Sequence, residues 1–485
     1  MDKRNSKYLA TALDVFSEQI VRFEPELISK RALQTVKFGV ADTVGVTLAG
    51  ISEPCTQILF ASLGLSNEIG DSLIVGTRHK ASALDATLIN GIASHALDFD
   101  DFSDVLGGHQ SVPLVPALLA LAQNGFLSGL DFVNAYVVGL EAEHRFAEAL
   151  NPTHYDKGWH PTSTLGIFGT AAAAAWALKL NQHQTATALA IASSLASGIK
   201  ANFGTMTKPL HVGHSGRSGL LAAFLARNSF TANHQALEHK QGFLDVFNGL
   251  GSFNIDVFFE NRQNLAIDLP TLGIKQYPCC GSTHPAIYAV TELKRAHEID
   301  AAKVEKITIY IHARRLQHTN NPRPKTTLEA KFSLQYVVVK ALVADTIGLK
   351  DFQENAFLNP KLQELLGRVN ALPFGAQGAP DGEPWDAEVV VALKSGKTVR
   401  GRVNNMVGRS GANAMSVPEL KQKFDDCADG KLTNLQRDHV FELFMNLEAI
   451  SDLTQLFKGL EGSFSFSAIS HIQEKKVLSK TKNFR

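Results

Sequence analysis

From residue 8 to about residue 265, apolar side chains recur at three- and four-residue spacing, as in ISKRALQTVKFGVADTVGVTLAG and LVPALLALAQNGFLSGLDFVNAYVVGLEAEHRFAEAL, with Gly, Pro and Asn at the breaks. Such spacing lays an apolar stripe along each helix, and stripes of that kind are buried by packing helix on helix. The run TAAAAAWALKL (170–180) is apolar nearly all round, which places its helix at the centre of a bundle. In HVGHSGRSGLLAAFLA, Gly213, Gly216 and Gly219 fall at helical spacing and admit another helix at close range.

The texture changes after about residue 266. KVEKITIYIHA (303–313) alternates like a half-buried strand, AEVVVALKSGKTVRGRVN (387–404) reads as a hairpin turning at Ser395-Gly396, and FLNPKLQELLGRV between them reads as a helix. Helical periodicity resumes in SVPELKQKFDDC and LQRDHVFELFMNL. The expected fold is mainly α. A large helical-bundle domain is formed by both chain ends (1–266 and 408–485), with a smaller α+β lid domain (267–407) inserted. At 485 residues the chain exceeds one ordinary core.

Charge excludes several partners. Lys and Arg balance Asp and Glu at 47 each, so no long-range field recruits nucleic acid or an anionic membrane surface. An anionic ligand must then be held by local cations. Cys55, Cys279, Cys280 and Cys427 contain no CxxC pair, which argues against a zinc ribbon or a disulfide framework and fits a reducing cytoplasm. The N-terminal segment lacks the apolar core of a signal peptide, and no stretch reaches the ~18 apolar residues of a membrane span. The basic last dozen residues, EKKVLSKTKNFR, read as a solvated tail.

Four segments carry titratable groups among small residues: HALDFDDFSDVLGGHQS (95–111), GWHPTSTLG (158–166), GTMTKPLHVGHSG (204–216) and CCGSTHPAI (279–287). His160 and His284 each precede proline, with Thr162 and Thr283 beside them as candidate substrate contacts. Imidazole titrates near neutrality, so either histidine can take a proton from carbon or deliver one. Lys208 supplies an ammonium that neutralises a carboxylate, and Pro209 after it biases it toward extended backbone at a helix boundary. Lys275 is a second anion contact. Asp98, Asp100, Asp101 and Asp104 crowd a short stretch before His109, where mutual repulsion should raise at least one carboxyl pKa. Cys279-Cys280 read as packing residues, and Lys331 and Tyr336 as placing a helix. No nucleotide or metal motif is present, so neither cofactor nor metal is expected.

In their order and spacing these segments, with DTVGVTLAG (42–50), EAKFSLQY (329–336) and LKSGKTVRGRV (393–403), resemble the MmgE/PrpD family over roughly the whole chain. That family includes 2-methylcitrate dehydratase, cis-aconitate decarboxylase and iminodisuccinate epimerase. The resemblance implies a homodimer whose helical domain is built from both chain ends. It implies active-site roles for Asp98, which matches the first Asp of the family's DFDD, for Lys208 in KPLH, and for His160 and His284. His109 matches the histidine of the family's HPS, although Gln110 replaces its Pro and Phe102 stands where Thr is common.

The expected protein is a cofactor-independent lyase that removes a proton next to a carboxylate of a small di- or tricarboxylate, at a site between bundle and lid. Dehydration of a 2-methylcitrate-like acid is the first choice; an epimerase like that of iminodisuccinate and a cis-aconitate decarboxylase are the alternatives. Two readings of other classes compete. Asp100–Asp104 and Asp425–Asp429 both fit DDxxD, the magnesium diphosphate motif of prenyl transferases. A non-catalytic helical scaffold would account for the bundle but leave the His-Pro settings unused.

Overall fold

The computed structural model describes residues 10–466 apart from 66–69, 270–271, 345, 354–355, 377, 405–407 and 409–413. The basic tail lies outside the described residues. The chain is mainly α and divides into two compact units, one of residues up to Leu272 and from Leu420 onward, the other Gly273–Glu419. The sequence suggests breaks near 266 and 407. The first falls later because the turn at Ala266–Asp268 is tied to the helical unit, the Ala266 N–H donating to Glu141 Oε1 at 2.5 Å.

The helices of the first unit that position the site are α1 (Lys30–Gly50), α2 (Ala83–His95), α3 (Ser111–Gln123), α4 (Gly129–Leu150), α5 (Pro161–Thr164), α6 (Gly166–Ala177), α7 (Gln182–Leu195) and α8 (Thr207–Arg227). Their starts are written in the sequence. Ser82 accepts the Asp85 N–H at the head of α2, and Ser128 with Asp131 forms a capping box on α4. α6 is buried along its length save for Trp176, as its uniform apolarity requires.

α8 packs against α2, α3, α6 and α7. Its three spaced glycines each meet a different neighbour. A methyl group at Gly213 would run into the Leu88 carbonyl of α2, one at Gly216 would stand 2.9 Å from the Pro113 oxygen of α3, and one at Gly219 2.7 Å from the Ile167 oxygen of α6. Backbones at such range leave no room for a Cβ, which is what the glycines provide.

The second unit carries α9 (His284–His297), β1 (Val304–Ile311), α10 (Ala313–Thr319), α11 (Leu334–Val343), α12 (Pro360–Leu366), β2 (Val369–Pro373), β3 (Ala387–Leu393) and β4 (Thr398–Val403). Its sheet runs β2-β1-β3-β4, with β1 and β2 parallel (Ile307 opposite Val369) and the other pairs antiparallel (Thr308 opposite Val390, Val390 opposite Arg400). The hairpin turns where the sequence places it, with Gly396 at φ 86°. α9 packs on β3 and β4 over a core of Ile287, Val290, Leu293, Ile307 and Val389.

The C-terminal return begins on α13 (Val417–Ala428) and continues in α14 (Asn434–Met445). Phe424 is buried against Phe441 and Phe444, and its ring stands 3.2 Å from where a methyl at Gly45 of α1 would be. The second acidic cluster sits at the end of α13, with Asp425 paired to Lys421 at 2.6 Å and Asp429 to Arg437 at 3.0 Å. These are ordinary ion pairs, which weakens the diphosphate reading. No single helix among the described residues is long and apolar enough to cross a membrane.

Candidate active site

The loop between α2 and α3 carries most of the candidate groups. α2 ends at buried His95, and Asp98 takes a left-handed backbone at φ 54°, a region few residues other than Gly, Asn and Asp enter. That turn sends the chain inward through Phe99, Asp100 and Asp101, all buried, while Asp104 stays exposed. Asp101 accepts the Ser111 N–H at 3.2 Å and Gln110 Nε2 at 2.8 Å, satisfying donors at the head of α3. The His109 N–H donates to Thr162 Oγ1 at 3.0 Å. Gly108 allows this approach, because a Cβ there would lie 2.5 Å from that same oxygen.

His160 enters from the segment before α5. Its N–H donates to the Gly198 carbonyl at 3.0 Å and the Lys200 N–H to the Gly158 carbonyl at 2.7 Å, so two extended strips run side by side. Pro161 opens α5 and leaves His160 extended at its cap (φ −97°, ψ 97°). Lys208 differs from the sequence expectation. It lies inside the first turn of α8, not in extended backbone. Proline is tolerated in that turn because its missing N–H would have had no partner there, so Pro209 does not force Lys208 out of the helix.

Together these segments build a continuous line of acid–base groups. Lys208 Nζ lies 2.5 Å from Asp98 Oδ1; His109 Nε2 lies 3.7 Å from the same oxygen; His109 Nδ1 lies 2.8 Å from Asp100 Oδ2; and His95 Nδ1 lies 2.7 Å from that second oxygen. Side-chain exposure falls along this line from 21% at Asp98 and 17% at Lys208 through 12% at His109 to 0% at Asp100 and His95. The accessible end is therefore Asp98 with Lys208, and the histidines are held from behind. His160 Nδ1 stands 3.2 Å from His211 Nδ1, and the Phe203 ring meets His160 edge to face at 4.8 Å.

Burial sets the charges. It pushes the Asp100 carboxyl up, but His109 and His95 outweigh it and hold that group well below the usual carboxylate range, so Asp100 is ionised. Burial depresses His95 to about 4 against the pull of Asp100. His160 is held well below its ordinary value by burial, then by Lys208 and the neighbouring histidines, and is neutral at physiological pH. Asp101 is the raised carboxyl that crowding suggests. The first cause is burial, with the charge of Asp42 second.

The second unit holds the remaining sequence candidates. His284 is the first residue of α9 and helical despite Pro285, with Nε2 3.3 Å from the Cys279 carbonyl. The resemblance between the two His-Pro settings is thus one of composition, not of backbone. Thr283 is buried and donates to the Cys280 carbonyl at 2.8 Å; Lys275 is buried as well. Arg315 lies 3.0 Å from the Trp385 ring centroid and donates to Ser282 Oγ at 3.2 Å. Cys279 is buried and its thiol pushed up to about 12 by that burial, consistent with a packing role.

This arrangement can be compared with known proteins. The MmgE/PrpD N-terminal domain matches residues 14–256, and the MmgE/PrpD C-terminal domain matches residues 277–448. The chain belongs to the MmgE/PrpD family. Among its relatives, cis-aconitate decarboxylase of Homo sapiens is 30% identical over 453 residues, covering 89% of this chain and 91% of that protein. The Mus musculus enzyme of the same name is 31% identical over 397 residues, covering 77% and 78%. Cis-aconitate decarboxylase of Aspergillus terreus is 24% identical over 467 residues, covering 89% and 92%.

Within this MmgE/PrpD chain the fold gathers Asp98, His109, His160 and Lys208 into one cluster and adds three groups the sequence reading did not select: His95, Asp100 and His211. Asp100 was visible only as one of four crowded aspartates, and His95 gave no signal beyond ending an apolar helix. Thr162, expected at the substrate, is engaged by the His109 N–H. The ring nitrogens of His95 and His109 and a carboxylate oxygen of Asp100 lie within 4.8 Å of one another, a spacing that could also hold a metal ion. The sequence, which separates these residues without ligand spacing, does not show that closeness. The short approaches to Asp100 Oδ2 are made by Nδ1 of each histidine, and a metal would need a ring-nitrogen lone pair, which Nε2 still offers.

Proposed function

We propose that this chain is a lyase acting on a small polycarboxylate and that its reaction is decarboxylation of cis-aconitate or a close analogue. The observation that carries the reading is the line Lys208–Asp98–His109–Asp100, which pairs a cation at the accessible end with an oriented imidazole. The names of the relatives support decarboxylation over the dehydration that sequence favours first.

The chemistry follows from charge. When the carboxylate on the methylene carbon leaves as carbon dioxide, its C–C bonding pair becomes a new C=C bond. The old double bond shifts, and negative charge gathers on the carbon bearing another carboxylate. One proton delivered there completes a dicarboxylate. Lys208 stabilises the substrate carboxylates and the developing charge in a partly dry site. Asp100 Oδ2 lies 2.8 Å from His109 Nδ1, and Nε2, on the Asp98 side of the ring, is the atom that exchanges a proton with carbon. His160, neutral and fixed by His211, is the second candidate.

A role for His284 and assembly as a homodimer rest on the family resemblance, and roles for Lys275 and Thr283 and a cytoplasmic location on the sequence itself; substitution, solution mass measurements and fractionation test them. The decisive experiment incubates purified protein with cis-aconitate, 2-methylcitrate, citrate and iminodisuccinate in deuterated water and follows products by proton NMR. Carbon dioxide with deuterium next to a carboxylate is the expected result from cis-aconitate. Loss of water from 2-methylcitrate or citrate, or exchange with inversion in iminodisuccinate, would move the chain to the dehydratase or epimerase reading. Silence toward all four would overturn the substrate class.

A further inference from the structure

The loop that presents Asp98 and Asp100 has no regular secondary structure between Asp98 and Asp101, yet it must hold a left-handed residue and two carboxylates in place. Its support comes from remote chain. Lys423, on α13, donates through Nζ to the Phe99 carbonyl at 2.8 Å, across 324 residues of sequence. The same nitrogen lies 2.6 Å from Asp42 Oδ1 of α1 and 3.9 Å from the Phe99 ring centroid. Asp42 is thus held against α13 by this buried ammonium. Lys423, Asp42 and Phe99 are all buried, at 7%, 2% and 3% exposure.

We propose that Lys423 and Asp42 are positioning residues for the catalytic loop. The inference rests on the decarboxylase reading of the site. Lys423 grips the backbone by the carbonyl just before Asp100, and Asp42 pairs with the ammonium that does so. Asp98, one residue before Phe99, is fixed by the same hold. Two features single this pair out from ordinary core polarity. A lysine is rarely buried without a specific task, because its ammonium must be paired and its stem ordered. Hydrophobic residues of similar volume generally serve stability as well as a buried ion pair does, so retention of this one at a loop with two site carboxylates points to geometry. The ammonium is shared among a carbonyl, a carboxylate and a ring face, which sets its direction as well as its depth.

Displacement of a reacting group by about 1 Å can cost on the order of a hundredfold in rate. The expected result for Lys423→Met is a kcat lowered by about ten- to a hundredfold per folded molecule, with KM changed less than about threefold, since Lys208 still binds substrate. Because removing one member of a buried pair strands the other, the double variant Asp42→Asn/Lys423→Met is measured too. Its loss should be no greater than that of the single variant, the pair acting as one device. Phe99→Leu, which removes only the ring face, supplies a third reading if either fails to fold, and should lower kcat by about threefold or more. Rates are normalised to the folded fraction from circular dichroism. Wild-type kcat in any folded member of this set would overturn the proposal. Asp98→Asn is assayed beside them on the same substrate. If it is also fully active, the site reading itself has failed; if it is inactive while Lys423→Met is normal, only the brace has.

Discussion

His109 Nδ1 stands 2.8 Å from Asp100 Oδ2, and Asp100 is wholly buried while His109 is not. An acidic group that solvent cannot reach thus fixes the orientation of an imidazole at the edge of the accessible site. Asp100→Asn keeps the shape but replaces an acceptor with a group that can also donate. We expect kcat to fall at least about a hundredfold with a normal melting curve, the size typical of lost acid–base catalysis. A near-normal rate would show that Asp100 does not orient His109.

Lys208→Ala and His160→Ala should each lower turnover by at least roughly a hundredfold while leaving the fold intact. The two differ in kind. Lys208→Ala should also raise KM, because its ammonium meets the substrate charge directly; His160→Ala should act mainly on kcat. Steady-state kinetics with parallel thermal melts decide the matter.

Acid stability should depend on His154, buried between Asn248 and Thr164 at 2.9 and 2.7 Å and depressed to about 4 chiefly by that burial. Unfolded histidine titrates near 6.5, so between about pH 6.5 and 4 the unfolded chain binds the extra proton and stability falls as pH falls. Over that whole window the loss amounts to about 3 kcal/mol. Relative to His154→Gln, the wild-type protein should lose this much in urea unfolding between pH 7 and pH 4. Parallel curves for the two proteins would contradict the assignment.

Exhaustive chelation should leave activity unchanged, since the acid–base line from Lys208 to Asp100 needs no ion. A loss after EDTA that a divalent cation restores would show that His95, Asp100 and His109 hold a metal instead.

Gly213→Ala should destabilise the protein by about 1–3 kcal/mol, the usual cost of forcing an extra methyl into a packed core. Denaturant melts would register it. An unchanged midpoint would mean that α8 and α2 can separate at no cost.

The helices, the buried alanine-rich core helix and the glycine face of α8 were legible because periodicity and side-chain size act locally. So was the hairpin at Ser395-Gly396. Lys208 was found as a residue but misplaced in conformation, since the bias exerted by Pro209 yields to a helix start that does not need the proline's N–H. His160 and His109 stand out as candidates through their settings. Their partners do not: His95 looks like any end of an apolar helix, and Asp100 differs from Asp101 only in what the fold packs around it. Burial sends the pKa of Asp101 up, while two imidazoles send that of Asp100 down, and neither environment is written in the local sequence. Asp42 and Lys423 meet across most of the chain, beyond the reach of any motif.

That last separation also has an order in time. A ribosome making this protein releases the Phe99–Asp101 segment 324 residues before Lys423 in the case of Phe99, so the helices around the loop emerge while its brace is still unsynthesised. The acid–base groups can gather early, but the loop that aims them is finished only when the C-terminal segment folds back. Catalytic competence is therefore a late event in the life of a nascent chain, and an internal check on completeness: a polypeptide truncated before residue 423 carries every group of the Lys208–Asp98–His109–Asp100 line without the part that sets it.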